Sequence, residues 1–148
     1  MSASRAFDTR LFLWVVRRGR RLAGIPTLPY LFDALLLAWT SLTHPSRVAA
    51  MELLEDKALQ IDGVTLRTHR FGGIEFHHET RGELGHVHGH GLLDVRLTRK
   101  LAGELLEEGR VRRHHVFPDS RWISFQLGKP EDVSYAIQLL EGARQAGR

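Results

Sequence analysis

The chain contains no cysteine and no asparagine. Without cysteine there is no disulfide, no thiolate nucleophile and no Cys-ligated zinc or iron–sulfur cluster. Lysine occurs only at Lys57, Lys100 and Lys129, and arginine supplies the rest of the positive charge. That balance fits a GC-rich genome or a heat-tolerant source. Long apolar runs are scarce too. "LFLWVV" (11–16) is too short for a secretory core, and "RRGRR" stands where a cleavage region belongs. "LPYLFDALLLAWTSL" (28–42) contains Asp33 and falls short of the roughly 20 apolar residues of a membrane span. A cytoplasmic protein is expected, at most peripheral to a membrane.

Positive charge is unevenly placed. Residues 1–24 carry Arg5, Arg10, Arg17, Arg18, Arg20 and Arg21 against Asp8, a net of +5 in a chain whose total is +4. The high pI of 10.1 therefore belongs to the arm, and it gives no reason to expect nucleic-acid binding by the remainder. The arm's apolar residues and the apolar segment after it point to a homodimer contact or a membrane-surface contact through residues 7–42.

With 148 residues, 43% of them hydrophobic, the chain suffices for one real core. Helical periodicity predicts helices over about 7–23, 29–42 and 46–58. From residue 62 the period becomes that of strands. "VTLRTHRF" and "GGIEFHHE" read as a hairpin about Gly72-Gly73, and "LGHVHG" and "LLDVRL" as one bent strand or two short ones. "TRKLAGELLEEG" reads as a helix capped by Thr98 and stopped by Gly109. "VRRHHVF" and "RWISFQL" read as a second hairpin, and Pro130 opens a final helix. The order predicts an α+β fold, an antiparallel β-sheet with helices packed on one face. Residues 1–60 form an N-terminal helical extension, with the basic arm at 1–24, and residues 61–148 the α+β domain.

Histidine is what the chain has in excess. Of nine, all but His44 lie between His69 and His115. Side chains alternate across a strand, so the apolar positions Ile74, Phe76, Val87, Ile123, Phe125 and Leu127 assign the others to the opposite face. Glu75, His77, His86, His88, His114, Ser124 and Gln126 then line one polar face, with His115 nearer the core. Histidines two apart on a strand lie roughly 6.5–7 Å apart, so both rings can lean onto one ion. His86 and His88 are candidate metal ligands, with His114 as the third and Glu83, Glu75 or Asp94 available as a carboxylate. His90 fits less well, because three such positions span about 13 Å and Gly89 and Gly91 interrupt the strand. Zinc and iron are the favoured divalent ions. In that scheme Glu83 or Glu75 is the general base and His77 an accessory residue. Two alternatives stand beside it: a metal-free acid/base or anion pocket, and hydrogen-bonded structural histidines. No G-x-S-x-G nucleophile setting and no phosphate loop is present.

The stretch from "RGELGHVHGHGLLDV" through "EEGRVRRHH" to "RWISFQLGKPEDV" resembles the luciferase-domain family, small bacterial and fungal proteins. The resemblance runs over about residues 63–140. It implies a Glu-x-x-His-x-His element, here Glu83, His86 and His88, and a later histidine, here His114. It implies no particular reaction. The functional expectation is a His-rich site that binds a divalent metal and a small-molecule ligand, with or without turnover. The alternative is a non-catalytic binding module, membrane-peripheral through its N-terminal helices.

Overall fold

The computed structural model describes residues 25 and 27–146. The helix expected over about 7–23, and with it the basic arm, lies outside the described residues. Among the described residues two helices come first, α1 (Leu28–Thr43) and α2 (Pro45–Ala58). Pro29 and Pro45 stand in their first turns, where a missing N–H costs nothing. Four strands follow, β1 (Val64–Thr68), β2 (Ile74–His78), β3 (Gly82–Val87) and β4 (Leu92–Arg96). Next come α3 (Arg99–Glu107), β5 (Arg112–Arg113), β6 (Trp122–Gln126), a 3-10 turn (Pro130–Asp132) and α4 (Val133–Gln145).

Local chemistry sets several of these boundaries. The Thr98 hydroxyl accepts the N–H of Leu101 and caps α3, a contact worth about 1 kcal/mol. Gly72 and Gly73 both take positive φ in the β1–β2 turn, a conformation that side chains with a Cβ avoid. The segment expected as a strand over 111–117 is strand only at Arg112–Arg113. Beyond it the chain bends, and the Val116 and Phe117 N–H groups turn to the His114 ring.

All six strands form one antiparallel sheet in the order β1-β2-β3-β4-β6-β5, so the fold is α+β. On one face Phe76, Val87, Leu93, Val95 and Ile123 share a core with Met51 and Leu54 of α2 and Leu139 and Leu140 of α4. Helix α1 borders the other face, where its Asp33 and Leu36 line a cavity with the histidines. No helix among the described residues is long and apolar enough to cross a membrane.

Candidate functional site

Strand register builds the site. Cross-strand pairs align Arg67, Glu75, His86, Asp94, Ser124 and Arg112 in one row that crosses every strand. Directly paired residues share a face. The row thus places Glu75, His86 and Ser124 opposite the core, as the alternation pattern requires, and adds Asp94 to that face. His88 and His114 each lie two residues beyond a row member, on the same face.

An irregularity recruits Glu83. Three positions from His86, it would point to the other face of a regular strand. Between Phe76 and His77 the register shifts: Phe76 pairs with Gly85 but His77 with Glu83, leaving Leu84 as the extra residue. A bulge of this kind resets the alternation. It sends Leu84 to the core and brings Glu83 beside His86, whose Nδ1–H donates to Glu83 Oε1 at 2.6 Å.

Asp94 is the centre of the cluster and is fully buried. Its Oδ1 accepts the Ser124 hydroxyl. Around its Oδ2 stand His88 Nε2 at 3.3 Å, His86 Nε2 and His114 Nε2 at 3.5 Å each, and His115 Nδ1 at 3.8 Å. Burial alone would raise the Asp94 pKa, but interactions with His114, His86 and His88 outweigh it and hold the carboxyl well below its ordinary range. His86 responds in the opposite sense. Burial disfavours its cation, yet Asp94 and Glu83 flank the ring and raise its pKa to about 9. Burial would raise Glu83, but the bond from His86 outweighs it and keeps the carboxyl below its ordinary value.

Two more histidines frame these. His69 stacks on His86 with centroids 3.8 Å apart, and its Nε2 lies 3.5 Å from Glu83 Oε1. His115 stacks on His114 at 4.5 Å. Burial is the main cause that brings both His69 and His115 down to about 4, and the neighbouring histidines add to it. The two rings are therefore neutral near neutral pH.

Three groups of side chains have ligand atoms within 4.8 Å of one another: His69, Glu83 and His86; His86, Asp94 and His114; and His88, Asp94 and His115. Each is able to hold a metal ion. Glu75 lines the cavity but accepts a 2.7 Å bond from His77 Nδ1, and neither residue joins a converging group among the described residues. His90 joins none among the described residues; its backbone carbonyl accepts from Arg47 and Gln126.

The cluster forms the floor of a cavity of about 680 Å³. Leu28, Phe32 and Leu36 of α1 line it, and so do Phe71, Phe117 and Trp122. An apolar cleft with a few convergent polar groups at its base is the usual form of a small-molecule site.

Sequence reasoning misses three participants. It places His115 nearer the core, yet the bend after Arg113 brings its ring toward Asp94. His69 sits where β1 has just ended, so strand alternation does not reach it. Asp33 comes from α1, far away in the chain, and its Oδ1 lies 3.8 Å from His88 Nδ1.

No curated protein and no solved structure matches this chain. A family model does match: residues 81–143, the segment that carries Glu83, His86, His88, Asp94, His114, His115 and Ser124, are similar to the luciferase domain family.

Proposed function

We propose that the cluster binds one divalent transition metal, zinc or iron, and that the cavity above it takes a small molecule with an apolar body and an oxygen donor. One observation carries this reading. Three imidazole Nε2 atoms surround a single buried carboxylate oxygen at 3.3–3.5 Å. Those separations are long for hydrogen bonds. For His86 and for His88 the separation from Asp94 matches one ligand–ligand edge of a tetrahedral site with metal–ligand distances of 2.0–2.2 Å, which is about 3.3–3.6 Å. In the imidazole and carboxylate classes, the donor set suits zinc and non-haem iron.

We take His86, His88 and Asp94 as the ligands: both imidazoles face Asp94 Oδ2, at 3.5 and 3.3 Å, although they belong to separate converging groups. Glu83 holds the His86 Nδ1–H, so loss of the Nε2 proton on metal binding would leave a lone pair facing inward, the usual carboxylate–histidine support of a metal ligand. His114 stands at the same distance, but its Nδ1 accepts the N–H groups of Val116 and Phe117 at 3.1 Å each. The ring therefore carries its proton on Nε2 and directs it at Asp94. We assign His114 as the clamp that orients the Asp94 carboxylate. Glu75, backed by His77, is the cavity carboxylate left for proton transfer with a bound molecule. When bound, zinc would acidify a water and iron(II) would open oxygen chemistry.

Elemental analysis of untagged protein, purified without chelator, tests the assignment. Near one equivalent of zinc or iron is expected in the wild type and almost none in His86→Ala, with the fold retained. A clean zero after adding metal back and desalting would leave the histidines as a metal-free acid/base or structural cluster.

A second reading, a binding module of the cytoplasm, draws on a different observation. Leu31, Leu35, Trp39 and Leu42 of α1 are all exposed. Residues 7–42 would then meet a second copy or an anionic membrane surface. Deleting residues 1–24 is expected to change the mass in solution or the affinity for anionic vesicles. If neither moves, the arm is neither interface nor anchor.

A further inference from the structure

Helix α1 carries two apolar ridges side by side. Leu28, Phe32 and Leu36, spaced four apart, line the cavity. Leu31, Leu35 and Trp39 repeat that spacing three positions on, and with Leu42 each is more than half exposed. Residues three apart are neighbours on a helix, so apolar surface runs from the cavity wall onto the outside of α1. No charge interrupts it. Asp33 is the one charged residue of the helix, and its Oδ1 turns to the Gly89 N–H. The exposed hydroxyls are turned inward as well: Ser41 donates to the Leu37 carbonyl at 2.8 Å and Thr43 to that of Trp39 at 2.7 Å. Such bonds persist away from water.

The rim of the cavity continues this surface. Tyr30, Phe71 and Phe117 both line the cavity and are exposed. The Arg70 guanidinium stands 4.3 Å from the centroid of the Phe71 ring. Aromatic rings with an arginine among them suit the headgroup level of a bilayer. A large exposed apolar patch marks a protein contact or a membrane contact, and charge decides between them here. Residues 1–24, which end four positions before α1, carry a net charge of +5. An anionic bilayer supplies both the countercharge and an apolar phase, whereas a second copy would bring another +5 to the contact. Within the cavity the balance is reversed. Asp33, Glu75 and Glu83 line it above the buried Asp94, and Arg70 is the only lysine or arginine of the lining among the described residues. These carboxylates repel an anionic head and leave an uncharged hydroxyl or carbonyl as the better fit.

We propose that α1 lies on an anionic lipid bilayer with Leu31, Leu35, Trp39 and Leu42 in its acyl boundary, and that the cavity takes an uncharged long-chain amphiphile from that bilayer. The ligand class rests on the small-molecule reading above. The docking does not, and it holds with or without a bound metal.

Sedimentation of the full-length protein with vesicles tests the docking. Vesicles of phosphatidylcholine and phosphatidylserine are expected to bind the wild type about 10-fold or more better than phosphatidylcholine alone. Replacing Leu35→Ser and Trp39→Ser together should abolish binding at an unchanged melting temperature, because both side chains are exposed. Replacing Arg17, Arg18, Arg20 and Arg21 by Gln should remove the preference for anionic vesicles. Wild-type binding by the double serine variant would overturn the docking, as would no sedimentation of the wild type. So would a wild-type dimer in solution that the serine variant splits, since a second copy then covers the face. Entry of the ligand is read at Trp122, which lines the cavity and is the only tryptophan left after Trp14→Phe and Trp39→Phe. A dibrominated octadecanol dissolved in the anionic vesicles is expected to quench it strongly, and dibrominated stearate weakly. Equal quenching by the two would overturn the uncharged class. Quenching by the alcohol delivered from cyclodextrin but not from vesicles would overturn the bilayer route and spare the small-molecule reading, and quenching from neither would sink both.

Discussion

At the scale of single residues, the site turns on which nitrogen of each ring carries a proton. His86 donates through Nδ1 to Glu83, whereas His114 accepts through Nδ1 from two backbone N–H groups. The two rings look equivalent from Asp94 and are not. Removing His114 should therefore weaken metal binding without abolishing it, because His86, His88 and Asp94 remain. Equilibrium dialysis of His114→Ala is expected to show lowered affinity, within the roughly 10–100-fold typical of supporting residues, at unchanged stoichiometry. Complete loss would make His114 a ligand. Strand alternation puts His86, His88 and His114 on one face, which needs only a period of two. It cannot find the Glu83–His86 bond, since that depends on an extra residue at Leu84 which no local pattern marks.

At the scale of elements, the close contact between α1 and the chain after β3 is the point of greatest sensitivity. Gly89 has no positive φ, so its requirement is for space alone. The atoms it faces, the Asp33 carbonyl oxygen at 2.5 Å and the Leu37 backbone nitrogen at 2.8 Å, are main chain and have little room to yield. Gly89→Ala is expected to push α1 outward and to cost about 1–3 kcal/mol, the usual range for overpacking. Thermal melting and zinc titration together check this, and both should fall. A melting temperature equal to that of wild type would show that α1 is less tightly seated. The helices themselves are legible, α1 and α2 from periodicity and prolines and α3 from its Thr98 cap. The docking of α1 is not, because a glycine that admits a helix reads the same in sequence as one that ends a strand.

At the scale of the whole molecule, burying so many histidines sets how stability depends on pH. His69 and His115 are lowered to about 4 and His90 to about 3, each mainly by burial. Unfolded histidine titrates near 6.5, so below that value the unfolded chain takes up protons that the folded protein refuses. Metal-free stability should therefore fall as pH drops from about 6.5 toward 4. His86 acts with the other sign. Its folded value of about 9 gives a contribution that is complete below about 6.5 and disappears as pH rises through 9. Urea midpoints of the metal-free protein at about pH 5, 6.5 and 9 are expected to peak at about 6.5, and a midpoint that rises steadily toward about pH 9 would contradict the His86 environment.

By itself the sequence determined the α+β class, most element boundaries, the absence of thiol chemistry and the polar strand face that carries Glu75, His86 and Ser124. These follow from composition and from periods of two and about 3.6 residues, which are local. Tertiary structure alone decided how that face closes into a site. The bulge that turns Glu83 to His86, the bend that brings His115 to Asp94 and the seating of Asp33 against Gly89 all join residues whose approach depends on register and packing. Asp33 shows the difference most clearly. In the sequence it is the charge that interrupts an apolar helix, and in the fold it is the carboxylate that helix delivers to His88.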